Sequence, residues 1–242
     1  MVVTVADVMT PRSLFIGVAP EKSDQAAAIA EREGFTAVPI VANGAISSYW
    51  SRSAARVLPI VRRLKLLHDL PLPIILPRLT TGMTHFVYFQ RELVGLINLS
   101  DLNKPLARLP WLQLLLDVEQ RILETCVDLA DETVADALGH AARHARQRQA
   151  RARTTDVHLP LLAFAHFSEI LRAAVQLKLI TLNAEHLGRL VQARNRLAHG
   201  STKLIESPSD GKELLWVCSR SQEIVCELVK HASQRSKTAV RT

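Results

Sequence analysis

Along residues 1 to about 105, apolar positions fall in short runs with a period near two, separated by helical stretches. Ser13 to Val18 reads as a strand, and Glu21 to Glu33 as a helix whose start is marked by Ser23 and whose end is marked by Gly34. Ala37 to Val41 and Ala45 to Trp50 form a hairpin around the tight-turn pair Asn43-Gly44. Ser51 to about His68 reads as the next helix, and the proline-rich stretch Pro71 to Pro77 as a crossing without regular structure. Thr84 to Phe89 and Leu93 to Asn98 make a second hairpin across the polar turn Gln90-Arg91-Glu92, and a short helix begins at Ser100.

From Pro105 onward the period changes to three or four. Leu109 to Leu129 is a helix with Leu112, Leu115, Leu116, Ile122, Leu123, Cys126 and Leu129 on its apolar stripe, and Glu119 interrupts that stripe. Asp131 to about Ala152 is a weaker, alanine-rich helix, and Leu159 to Ile180 is the most apolar one, expected at the centre of a bundle with His166 packed or at its surface. A helix after Asn183 carries Leu187, Leu190, Val191, Leu197 and Ala198 on one line. A polar loop, Ser207 to Gly211, precedes the last helix, about Leu214 to His231, which buries Val217, Cys218, Ile224, Val225 and Leu228. The pattern predicts an α+β protein of two domains: residues 1–105 as a small α/β unit, 106–235 as an all-α bundle, and 236–242 as a basic tail.

The 242 residues suffice for two cores. No run of about 18 apolar residues offers a membrane span, and the first residues lack the basic segment and apolar core of a signal peptide, so a cytoplasmic protein is expected. Cys126, Cys218 and Cys226 are few, odd in number and on apolar helix faces, which points to reduced core thiols rather than disulfides or a metal site. The net charge of +7 suits a polyanionic partner. No glycine-rich phosphate loop is present, so nucleotide hydrolysis has no support.

The chemistry concentrates at Arg194, Asn195 and His199. Asn195 and His199 are four apart and, on a helix, continue a polar line through Gly188 and Gln192. Arg194 falls among the apolar positions, where a guanidinium needs a partner because an unpaired buried charge costs several kcal/mol. Glu119 is the carboxylate misplaced in the same way on another helix, so the two are expected to meet across the bundle. Gly200 is placed to end the helix in a left-handed cap. A histidine at that end can move protons near neutral pH, and a neighbouring arginine can stabilise charge on a phosphate.

Arg194-Asn195-Arg196-Leu197-Ala198-His199 resembles the motif of the HEPN family, an arginine, a polar residue, three variable residues and a histidine on a late helix of a small bundle. The resemblance implies a metal-independent RNase working as a homodimer. His199 would move protons to and from a 2′-hydroxyl, Arg194 would meet the phosphate, and Asn195 would orient one or the other, with Glu119 in support.

In the first half, Val5-Ala-Asp-Val-Met-Thr-Pro11 and Gly95-Leu-Ile-Asn-Leu-Ser-Asp101 resemble a tandem pair of CBS modules. The resemblance implies that Asp101 accepts the ribose hydroxyls of an adenine nucleotide, with Asn98 in place of the family's hydroxyl residue and Ser100 nearby. In Gly44-Ala-Ile-Ser-Ser-Tyr-Trp50, Ser47 holds the hydroxyl position and Trp50 stands where the aspartate of the first module belongs. One of two sites is therefore expected to be lost. Ser100 and Asp101 equally fit a plain helix start.

His140, Arg143, His144, Arg146, Arg148, Arg151 and Arg153 follow one another with no acid after Asp136, a stretch able to track a phosphate backbone or simply to be solvated. Together these features describe a nucleotide-regulated RNase or RNA-binding protein of the toxin or defence kind, with RNA as partner, no cofactor required and no metal. The rival reading is a non-catalytic, CBS-regulated scaffold that dimerises.

Overall fold

A computed structural model describes residues 2–199 and 203–239. It is mixed α+β and about 60% helical, with sheets in the N-terminal part and helices in the C-terminal part. The chain divides into two compact units, residues 1–110 with 201–215, and residues 111–200 with 216–242. The return of 201–215 to the first unit is a long-range contact that local periodicity does not encode.

The first unit opens with a single-turn helix, α1 (Val5–Val8), and a two-residue strand, β1 (Thr10–Pro11). Residues 12–18 do not form the expected strand. Arg12–Leu14 is a 3-10 turn, and only Val18 makes a bridge, parallel to Ile40. Helix α2 (Ser23–Glu33) ends where Gly34 takes φ 71°, a left-handed conformation that costs glycine nothing. Strands β2 (Ala37–Ala42) and β3 (Ala45–Ser51) pair antiparallel around Asn43 and Gly44, both at positive φ, as a primed hairpin turn requires.

Ser51 to His68 is not a helix. It contains a turn, β4 (Arg56–Pro59) on the edge of the β2–β3 sheet, a 3-10 turn and β5 (Lys65–Leu67). The proline-rich stretch, in turn, is helical: α3 (Leu72–Leu79) has Pro73 in its first turn, where no amide donor is needed, and buries Leu72, Ile75, Leu76 and Leu79. Strands β6 (His85–Phe89) and β7 (Glu92–Ile97) form the second hairpin, β5 joins β6 in parallel and β1 joins β7 antiparallel. A 3-10 helix over Leu99–Asn103 follows.

The unit therefore repeats one order of elements. An extended segment, a helix and an antiparallel hairpin occur first as Val18, α2, β2 and β3, then as β5, α3, β6 and β7. Each repeat carries a bulge just before the last two residues of its first hairpin strand, between Ile40 and Val41 and between Val87 and Tyr88. Thr36 and Thr84, each preceding its hairpin, hydrogen-bond to each other at 2.6 Å. Phe86, Leu93, Ile60 and Leu64 fill a core that Phe15, Tyr49 and Leu96 cover.

The second unit holds most of α4 (Leu109–Cys126), then α5 (Asp131–Leu138), α6 (Ala142–Arg153), a 3-10 turn at Leu161–Phe164, α7 (Phe167–Gln176), α8 (Ala184–Ala198) and most of α9 (Pro208–Ala239). Helix α7 packs on α5 and α8, which gives it the central place its apolarity predicts. It is shorter than expected, because Pro160 and the capping box of His166 with Glu169 divide the segment; His166 is exposed. Helix α4 buries Trp111, Leu115, Val118, Ile122 and Cys126, so the stripe is rotated from the expected one and Leu116 faces outward. Helix α9 begins within the expected loop, at Pro208. Cys226 is exposed, not in the core. Among the described residues no helix is long and apolar enough to cross a membrane, and no cluster of side chains has the makings of a metal site.

Candidate functional site

Helix α8 starts at Asn183, whose side chain accepts from the His186 amide at 2.7 Å, and turns inward Leu190, Ala193 and Leu197. With that face buried, geometry sends Gly188, Gln192, Asn195 and His199 to the opposite one, and all four are exposed. Ala198, expected inside, is exposed as well. His199 leaves the helix with extended backbone while its amide still donates to the Asn195 carbonyl at 3.0 Å. The imidazole thus stands at a helix end with the Asn195 amide one turn below. Gly200, the expected cap, lies outside the described residues.

Arg194 is half-buried, between the inward and outward faces, and its Nε is buried with no hydrogen-bond partner among the described residues. Glu119 does not form the expected salt bridge with it. The carboxyl is half-buried on the shoulder of the rotated α4 stripe; burial pushes its pKa up, and the charge of Arg194 acts in the opposite direction. The pair is in electrostatic range without a joining contact, so the buried Nε of Arg194 is left without an acceptor among the described residues.

The four basic candidates on α6 separate into two kinds. Arg148 is structural: Nε donates to the Phe164 carbonyl at 2.6 Å, and the head lies 3.1 Å from His166 Nε2 and 3.5 Å from Glu169. Arg146 pairs with Glu132 at 2.7 Å, and Arg153 approaches Asp131 at 3.9 Å. Acids from α5 and α7 thus offset charges that look unopposed in the local sequence. Arg143 and Arg151, two turns apart, remain exposed with His140 and His144.

In the first unit, Asn98, Ser100 and Asp101 all line one cavity of about 570 Å³, a size suited to a small organic ligand. Asp101 is buried, and its carboxylate is already engaged. One oxygen accepts the Asn98 amide at 2.8 Å; the other takes Lys104 Nζ at 2.7 Å and the Thr10 hydroxyl at 3.4 Å. Lys104 also donates to the Val8 carbonyl at 2.6 Å. Asn98 accepts from the Ser100 amide and hydroxyl, completing the capping box. A carboxylate offers about four acceptor positions. A bidentate grip on a ribose would displace Thr10 or Lys104. Counted from the hairpin turns, the position of Asp101 corresponds to Ala54 in the first repeat, not to Trp50.

The cavity has walls that the sequence did not announce. Phe35 follows the cap of α2, Leu14 and Ile16 come from the irregular N-terminal segment, and Ile205 to Pro208 come from the returning segment. Asn103 holds that segment, accepting from the Leu204 and Ile205 amides at 2.8 Å and donating to the Ile205 carbonyl at 2.8 Å. A further cavity of about 530 Å³ lies in the second unit between Asn183, Trp216 and Arg220. There Arg189 stacks on Trp216 at 3.6 Å, and Arg220 is held by Glu223 at 2.6 Å, Glu227 at 3.4 Å and the Thr181 carbonyl.

No protein-family model, no curated protein and no solved structure matches the chain.

Proposed function

We propose that the protein cleaves or binds RNA without a metal through the HEPN-like set Arg194, Asn195 and His199, under the control of an adenosine-type ligand in the CBS-like first unit. The observation that carries this reading is the placement on α8, where an exposed imidazole at the helix end lies next to an exposed amide and a half-buried guanidinium with an unpartnered Nε. In cleavage, His199 takes the proton of a 2′-hydroxyl, whose oxygen attacks the adjacent phosphorus. Arg194 stabilises the charge gathering on the phosphoryl oxygens, and the 5′-oxygen leaves with the proton that His199 gives back, yielding a cyclic phosphate and a free 5′-hydroxyl. A homodimer that brings two such faces together supplies the cleft. The repeated order of elements in the first unit, with its cavity at Asn98 to Asp101, supports the tandem CBS reading and an adenine nucleotide or related compound as its ligand.

His199 lines neither cavity described above. That favours, as the second reading, a scaffold whose α8 face joins copies without chemistry. Incubation of RNA with the protein in chelator separates them. The first reading expects cleavage in the parent that falls at least about a hundredfold in His199→Ala, the scale of general acid–base catalysis. Absence of cleavage in the parent, or equal cleavage in the variant, leaves the scaffold.

A further inference from the structure

Both turns that present helix starts to the 570 Å³ cavity are plugged by side-chain oxygens of the chain itself, mostly carboxylate. At Asn98 to Asp101, the Asn98 amide donates to Asp101 and the Ser100 amide to the Asn98 side chain. At the start of α9, Asp210 accepts the amides of Glu206 at 3.0 Å and Ser207 at 2.8 Å, and the Ser207 hydroxyl at 3.0 Å. These are the donors a phosphate would use. The walls supply no replacement. Glu33, Asp101 and Glu206 line the cavity, and among the described residues no lysine or arginine does. Of the described cations bonded to these acids, Lys104 is spent on Asp101 and the Val8 carbonyl, and Arg32 on Glu33 at 2.7 Å. The rim, by contrast, leaves Phe35, Leu14 and Ile16 exposed, which the fold of a small unit does not require.

We infer that this cavity binds an unphosphorylated ligand of nucleoside size, neutral or cationic at the end where a nucleotide carries phosphate, with its flat heteroaromatic face against Phe35. The inference rests on the adenosine-site reading above and narrows it. A phosphate entering the cavity meets carboxylates at short range and loses water without gaining donors. An ammonium at the same place meets Glu206, while Glu33 keeps its own partner in Arg32. The ring gains the apolar surface and stacking that an exposed aromatic offers.

Calorimetric titration of the full chain with adenosine, 5′-amino-5′-deoxyadenosine, AMP and ATP, each in chelator and again with magnesium, tests the inference. The amino compound and adenosine should bind, AMP at least about tenfold more weakly than adenosine, and ATP more weakly still. Glu206→Lys should close most of the gap between AMP and adenosine, and Phe35→Ala should weaken all four together. AMP or magnesium ATP binding as tightly as adenosine overturns the inference and leaves the adenosine site standing. Binding of none of the four removes both. Adenosine binding untouched by Phe35→Ala puts the ligand elsewhere and overturns the inference.

Discussion

His85 shows how one buried side chain sets a pH window. It is 1% exposed, its Nδ1 lies 3.1 Å from the Met83 carbonyl, and burial together with the charge of Arg78 lowers its pKa to about 4. The unfolded chain takes up a proton below about pH 6.5, whereas the folded one does so only near 4. Stability is therefore fully present above pH 6.5 and is lost as the pH falls towards 4, by up to about 3 kcal/mol. Denaturant titrations at stepped pH should show that slope in the parent and a flatter one in His85→Gln. A thiol contrast is readable on the same scale. Burial pushes Cys218 up to about 11 and Cys126 is buried, whereas Cys226 is exposed. Maleimide at neutral pH should modify Cys226 in the native protein and the other two only after unfolding. The sequence alone put all three thiols in the core, because a helix stripe read without its partners is uncertain by about one residue of rotation. The same rotation brings Val118 inward on α4, turns Leu116 out and leaves Glu119 on a shoulder near Arg194 without touching it.

At the scale of elements, what was legible had a local stereochemical cause. Gly34 ends α2 because it alone tolerates the left-handed cap cheaply, and Asn43-Gly44 closes its hairpin for the same reason. Residues 51–68 suggest a helix because Val57, Leu58, Val61 and Leu64 also fit a helical spacing; Pro59 at the end of β4 is the contrary signal. Pro73 misled in the other direction, since proline in a first turn starts a helix. The basic helix α6 was half legible: its charges are in the sequence, but the acids facing them come from α5 and α7. Salt dependence of RNA binding measures the difference. Each exposed arginine that reaches a phosphate contributes about 0.7 to the slope of log affinity against log salt for single strands. Arg143→Ala and Arg151→Ala should each lower the slope by about that amount at unchanged melting temperature. Arg148→Ala should leave the slope nearly unchanged and lower the melting temperature, because it strips partners from the Phe164 carbonyl and Glu169.

At the scale of the whole molecule, the two proposed sites are near neighbours along the sequence. Residues 205–208 wall the cavity of the first unit, and three residues separate His199 from Lys203, next to the segment that Asn103 holds. No local pattern announces this, because Asn103 and Ile205 are 102 residues apart in sequence. Three hydrogen bonds to one amide side chain fix the segment, so Asn103→Ala removes the Asn103 partner of the Leu204 and Ile205 amides and of the Ile205 carbonyl, at a cost of about 1–3 kcal/mol for each group that stays buried without another. If ligand occupancy reaches His199 through this segment, ligand should change the rate of RNA cleavage by about 5- to 150-fold, the range of ordinary coupling energies. Asn103→Ala should abolish most of that change while cleavage without ligand persists. Hydrogen exchange supplies the structural readout: ligand slows exchange at 204–207 in the parent, the variant exchanges fast there with or without ligand, and α7 is the same in both. A variant that keeps the full ligand response while its 204–207 amides exchange freely would show that the signal takes another route.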